Sequence, residues 1–251
     1  DWHTALLPLY LNTTYAWDRA RFGATRTVLT VHNVGYQGTV SARAVDDLGL
    51  APYRALLHRE ELARGRLSFL LHGILYANAL TTVSRTHALE MLEPELGMGM
   101  DPYLRARASD FVGIVNGIDT AVWSPDRDPH LAARYDARDL AGKEACKRAL
   151  LEGCGLPYAA GAPVLGVISR FTAQKGLDLA LEVLPDLLAA ADVRLVVLGS
   201  GDARLERGFA DLARRFPGKA CYRQGYDEPL SHRIEAGADL FLMPSRFEPC
   251  G

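Results

Sequence analysis

Short runs of aliphatic and β-branched residues stand at 27–31, 79–83, 111–115, 164–169, 194–198 and 240–243, and glycine or asparagine followed by helix-period segments recurs after them. A strand that hands over to a helix and then to another strand has to cross over the sheet, so the pattern predicts βαβ units and parallel sheets. The runs fall into two groups. Between them, residues 119–161 carry Trp123, Pro125, Asp126 and Pro129 in an irregular stretch and a surface-helix composition at 137–152, which reads as a connector between two lobes. Beyond it the rhythm is regular, with helices expected at 176–190 and 203–216 around the strand at 194–198.

With 251 residues and 49% apolar content the chain buries a sizeable core, which excludes a disordered protein. A formal net charge of −2 offers no field for nucleic acid or an anionic membrane, so an anionic substrate has to meet local cations. Cys146, Cys154, Cys221 and Cys250 show no CxxC or CxxH spacing, which excludes a disulfide scaffold and fits a reducing cytoplasm. No apolar run approaches the roughly 20 residues of a membrane span, and no signal peptide opens the chain. A chain opening on Asp1 and stopping at Gly251 just after a strand-like run reads as a fragment, with sheet edges and apolar faces left uncovered; poor solubility and poor activity are expected of it alone.

In open parallel sheets ligands gather past the carboxyl ends of the strands. After 164–169 the chain reads Arg170-Phe171-Thr172-Ala173-Gln174-Lys175-Gly176, a guanidinium and an ammonium just ahead of a helix. Charge-assisted hydrogen bonds to phosphate oxygens contribute about 1.5–3 kcal/mol each, so the pair suits a diphosphate; the spacing fits a solvated, basic helix approach equally well. After 240–243 comes Pro244-Ser245-Arg246-Phe247-Glu248-Pro249-Cys250-Gly251, where Glu248 sits between two prolines on a rigid turn. It could hold sugar hydroxyls or steady a cationic sugar-like transition state, or be a plain surface glutamate. His3, ahead of the apolar stretch 5–11, together with His32-Asn33 and Asn116-Gly117-Ile118-Asp119, gives polar groups at strand ends of the first lobe, though ordinary turns use the same residues.

Two motifs fail. Gly199-Ser200-Gly201-Asp202 follows a strand, but the third glycine of a dinucleotide fingerprint would fall at Arg204. There is no DxD or HxH metal pair in a suitable loop, no GxSxG and no GxxxxGK[ST], so the expectation is no metal and no cofactor, with protein cations neutralising the leaving group.

Taken in order, Asp1-Trp2-His3, the 30–38 stretch with His32, Asn33, Tyr36, Gln37 and Gly38, Asn116-Gly117-Ile118-Asp119, Arg170 to Gly176, Gly199-Ser200-Gly201-Asp202 and the Glu248-Pro249-Cys250-Gly251 ending closely resemble the bacterial glycogen synthase and plant starch synthase family. The resemblance implies a GT-B α/β fold of two Rossmann-like lobes facing a cleft, with 1–120 part of the amino-terminal catalytic lobe and 121–251 the connector plus part of the nucleotide-sugar lobe. It implies transfer of glucose from ADP-glucose, as substrate, to the non-reducing end of an α-1,4-glucan with retention of configuration, without metal. By the same likeness Arg170 and Lys175 hold the donor diphosphate, Glu248 contacts the glucose, His3 lies near that sugar and Asn116 contacts it. Tyr226 forms part of the nucleotide-side wall, and Cys250 and Gly251 line the donor pocket through their backbone.

The chain departs from the family pattern in three respects. The Lys-x-Gly-Gly-Leu loop would lie upstream of Asp1, the phosphate-facing helix would follow Gly251, and Leu71 stands where relatives commonly carry Lys. Two other readings stay open: a related retaining transferase using UDP-glucose, sucrose, a lipid or a cell-wall acceptor, and a non-catalytic glucan- or nucleotide-binding module.

Overall fold

The computed structural model describes residues 1–250. The chain divides into two compact units, Asp1–Gly117 together with Pro249 and Cys250, and Ile118–Glu248.

The first unit is built on three parallel strands in the order β1 (Val28–Val31), β4 (Ala79–Thr82), β5 (Phe111–Gly113). Leu29 stands opposite Leu80 and Leu80 opposite Phe111. A small antiparallel pair, β2 (Thr39–Ser41) and β3 (Arg66–Ser68), lies in the same unit; three-residue strands with one apolar side chain each give no period to read, and the sequence does not announce them. Helix α1 (Leu7–Asn12) and helix α2 (Phe69–Tyr76) pack against each other. The α2 helix starts where Ser68 Oγ accepts the Leu71 N–H at 3.2 Å. It carries Leu70, Leu71 and Ile74 into a core shared with Ala5, Leu29, Val31, Leu80 and Leu104. Leu71 is 1% exposed among these side chains, where an unpaired ammonium would be costly; its apolar character therefore has a packing reason.

The second unit holds a four-stranded parallel sheet in the order β8 (Ala220–Gln224), β7 (Arg194–Gly201), β6 (Val164–Phe171), β9 (Leu240–Phe241). Helices lie on both faces. On one, Val167, Phe171, Leu195 and Val197 meet Leu184 and Leu188 of α4 (Leu177–Ala190) and Phe209 and Leu212 of α5 (Ala203–Arg215). On the other, Val164, Val196 and Leu198 meet Leu150 and Leu151 of α3 (Ala141–Gly153) and Ile234 of α6 (Glu228–Gly237). Strands buried on both faces are continuous apolar runs, which is why 164–169 and 194–198 stand out in the sequence.

The strands differ in detail from the sequence reading. β6 and β7 run further, pairing Arg170 with Ser200 and Phe171 with Gly201, so Arg170 is a strand residue and not a loop residue. Edge strand β8 mixes Cys221, Tyr222, Arg223 and Gln224 and carries no apolar run. The stretch read as a connector packs within the second unit: Trp123 stacks on His232 at 3.8 Å and 8°, and Asp128 Oδ2 lies 2.6 Å from His232 Nδ1, all but sealed from solvent. No helix among the described residues is long and apolar enough to cross a membrane.

Candidate functional site

Two loops past the carboxyl ends of β6 and β9 build the site in the second unit. The β6 loop closes through a 3₁₀ turn, Ala173–Lys175, and enters α4 at Gly176, whose φ of 62° is left-handed. A β-carbon on Gly176 would stand 2.0 Å from the Pro244 carbonyl oxygen, so the two loops approach as closely as they do only because this residue is glycine. Across that contact the Arg246 N–H donates to the Gln174 carbonyl at 2.8 Å, and Gln174 Nε2 donates to the Phe247 carbonyl at 3.1 Å. Arg246 completes the lacing with Nη1 to the Ala173 carbonyl and a forked pair to Asp178, at 2.8 and 2.6 Å. That partnership holds the Asp178 carboxyl down to about 2.

The lacing sets Lys175 Nζ 2.6 Å from Glu248 Oε1, both side chains 20% exposed. Ser245 Oγ donates to the same oxygen at 2.6 Å. Burial pushes the Glu248 carboxyl up, but the hydrogen bonds from Lys175 and Ser245 and the charges of Lys175 and Arg170 outweigh it, so the group lies below its ordinary value and is ionised. The ammonium keeps further N–H donors beyond the one Glu248 uses.

Arg170, with an exposed side chain, lines a pocket of about 230 Å³ with Ser169, Gly199, Ser200, Gly225 and Tyr226. The sequence-predicted Arg170 and Tyr226 therefore come together, across the ends of β6, β7 and β8. Residues that sequence reasoning missed are Ser245, Gln174, Arg246 and Asp178. Arg246 and Asp178 lie far apart along the chain, and only their loop ends, both flanking predicted site residues, pointed to them.

In the first unit, His3 stacks on Trp2 at 3.9 Å, with its own side chain exposed. Trp2 is seated over Gly38, where a β-carbon would meet the indole at 2.3 Å. The Asp1 carboxylate accepts the His32 N–H at 2.7 Å, and the Asp1 backbone nitrogen donates to the Thr30 carbonyl, so His3 sits past the carboxyl end of β1. Asn116 is exposed in the chain past β5, at the same edge of the sheet. Cys250 is a half-buried free thiol, and Gly251 lies outside the described residues. A roomier cavity, about 380 Å³, opens at the amino end of β1 beside Tyr15, Arg19, Arg26 and Asn78 and contains none of the predicted residues. The carboxyl-edge clusters carry the convergent charge, and size alone does not outweigh that. Among the described residues no group of three or more His, Cys, Asp or Glu gathers as a metal would need.

The family model of the starch synthase catalytic domain matches residues 1–106, and that of the glycosyl transferases group 1 matches residues 162–251. Glycogen synthase of Anaeromyxobacter dehalogenans (strain 2CP-1) is 51% identical over all of this chain and 52% of its own length. Glycogen synthase of Thioalkalivibrio sulfidiphilus is 47% identical over all of this chain and 50% of its own length. The chain thus spans about half the length of the curated relatives it matches. The catalytic domain of starch synthase IV from Arabidopsis thaliana, solved with ADP and acarbose, superposes with a TM-score of 0.90 at 36% identity, over all of this chain and 52% of that one. With both parallel sheets, the ordered motifs and these likenesses in agreement, the chain belongs to the glycogen synthase and starch synthase family of glycosyltransferases.

Proposed function

We propose that the protein this chain comes from transfers glucose from ADP-glucose to the non-reducing end of an α-1,4-glucan with retention of configuration, in the cytoplasm and without a metal ion. The observation that carries the reading is the Lys175–Glu248 contact at 2.6 Å beside Arg170. Breaking the bond from anomeric carbon to phosphate leaves positive charge on the sugar and added negative charge on ADP. Fixed cations at the diphosphate and a fixed carboxylate at the sugar stabilise that separation without reorganising. Arg170 and Lys175 take the diphosphate, Glu248 the glucose, and Tyr226 the nucleoside side of the pocket. By the family likeness His3 and Asn116 are assigned as sugar contacts and Cys250 as a donor-pocket residue, each on its own unit's account. A relative that binds ADP and acarbose, 36% identical, supports both the nucleotide and the glucan.

The test is glucose transfer to maltooligosaccharide by the full-length protein and its Lys175→Ala variant, with ADP-glucose and UDP-glucose in competition. A loss of about a hundredfold or more in the variant, with ADP-glucose preferred, is expected. Undiminished turnover in Lys175→Ala overturns the residue roles, and preference for UDP-glucose overturns the donor.

A further inference from the structure

Outside this site the second unit holds two thiols and a guanidinium in one cluster. Cys154 closes the carboxyl end of α3, and Cys221 lies on edge strand β8; both are half-buried against the same apolar layer of Val164, Val196, Leu198 and Ile234. Each thiol bears on the other's ionisation across that layer, and Arg223, two residues along β8, bears on Cys221. Arg223 also reaches the Gly153 carbonyl at 3.4 Å, holding the strand to the helix end that presents Cys154.

We propose that Cys154 and Cys221 form a redox-reactive dithiol that closes to a disulfide on reaction with a small-molecule disulfide. The roles of the two sulfurs are unequal. Cys154 and the charge of Arg223 outweigh burial at Cys221 and bring its thiol down to about 7, while Cys221 and burial push Cys154 up. Cys221 is therefore the attacking thiolate and Cys154 the resolving thiol. In the first step the Cys221 thiolate attacks one sulfur of the small disulfide, forming a mixed disulfide and releasing one thiolate. In the second, Cys154 gives up its proton, attacks the Cys221 sulfur and releases the second thiolate. Two electrons pass from the protein to the reagent, which leaves as two thiols. The other cysteines are set apart from this chemistry: Cys146 is 3% exposed and donates to the Ala133 carbonyl, and Cys250 lies outside the cluster.

The bridge would tie β8 to α3, and β8 runs directly into Gly225 and Tyr226 of the Arg170 pocket. The dithiol reading does not depend on the identity of the donor sugar.

The experiment treats the reduced full-length protein with glutathione disulfide near neutral pH and maps its peptides without reduction. A Cys154–Cys221 cross-linked peptide that dithiothreitol dissolves is expected in the wild type. In Cys154→Ala, Cys221 should accumulate as the glutathione mixed disulfide. With a monofunctional alkylating reagent, Cys221 should react roughly tenfold faster than an ordinary exposed thiol. Absence of the cross-linked peptide from the wild type, or an unmodified Cys221 in Cys154→Ala, overturns the proposal. The wild-type arm depends on no variant, so a substitution that fails to fold leaves the test intact.

Discussion

The carbonyl oxygen of Pro244 occupies the space where residue 176 would carry a side chain, so Gly176 is the joint at which the β6 and β9 loops meet. Gly176→Ala combines that clash with a left-handed φ of 62°. The conformation alone costs about 1–2 kcal/mol. The variant is expected to melt at lower temperature and to lose transferase activity out of proportion to its loss of folded protein, measured by thermal unfolding and initial rates.

Glu248 is expected to be as indispensable as its cationic partner. Glu248→Gln keeps the shape and removes the charge, and should cut kcat by about a hundredfold with little change in KM for ADP-glucose. Removing the partner instead, in Lys175→Met, takes away the main opposition to burial, so the Glu248 carboxyl should titrate higher than in the wild type. Carboxyl-selective NMR of the two proteins measures this. With its pKa lowered on folding, wild-type Glu248 contributes stability that is fully present above the ordinary carboxylate range and lost as pH falls through the folded value.

The Arg246–Asp178 fork should resist conservative replacement. Lysine offers a point charge where Arg246 spans both Asp178 oxygens and the Ala173 carbonyl. Arg246→Lys is expected to raise KM for the donor several-fold, with the defect growing at high salt as the remaining pair is screened. Equal steady-state constants for wild type and variant would refute this.

His72 predicts the acid limb of stability. Burial lowers its pKa despite the hydrogen bond to the Ser68 carbonyl at 2.7 Å, and its Nε2 accepts the His58 N–H at 3.0 Å, which holds the ring neutral. The unfolded chain therefore binds the extra proton first, and stability present above about pH 6.5 declines below it by up to about 1.4 kcal/mol per pH unit. His72→Gln should be less stable near neutrality yet show a flatter decline between about pH 7 and pH 5 in urea denaturation.

Legibility followed burial and symmetry of environment. β6 and β7 were readable because both of their faces are covered, and α4 because its leucines repeat at helical spacing. β8 was not, because an edge strand bearing Cys221, Arg223 and Gln224 is selected for its neighbours and not for a continuous core. The short β2 and β3 carry too few side chains for any period. Within the site, Arg170, Lys175 and Glu248 stood out by their places past strand ends, and their expected roles came from the family resemblance, since the spacing alone fits an ordinary basic or acidic turn equally well. Gln174, Arg246 and Asp178 were silent, since their importance lies in backbone carbonyls and partners distant along the chain, and Ser245 because a serine beside a proline is ordinary turn chemistry.

Lys175 and Glu248 hang from β6 and β9, whereas Tyr226 follows β8 at the opposite edge of the sheet, and only Arg170 borders the pocket they do not share. Substitutions near Gly225 and Tyr226 can accordingly reshape the wall without disturbing the acid and ammonium. On the proposed assignment of that wall to the nucleoside, a fold divided this way can drift toward new nucleosides while its charge-handling centre stays the same.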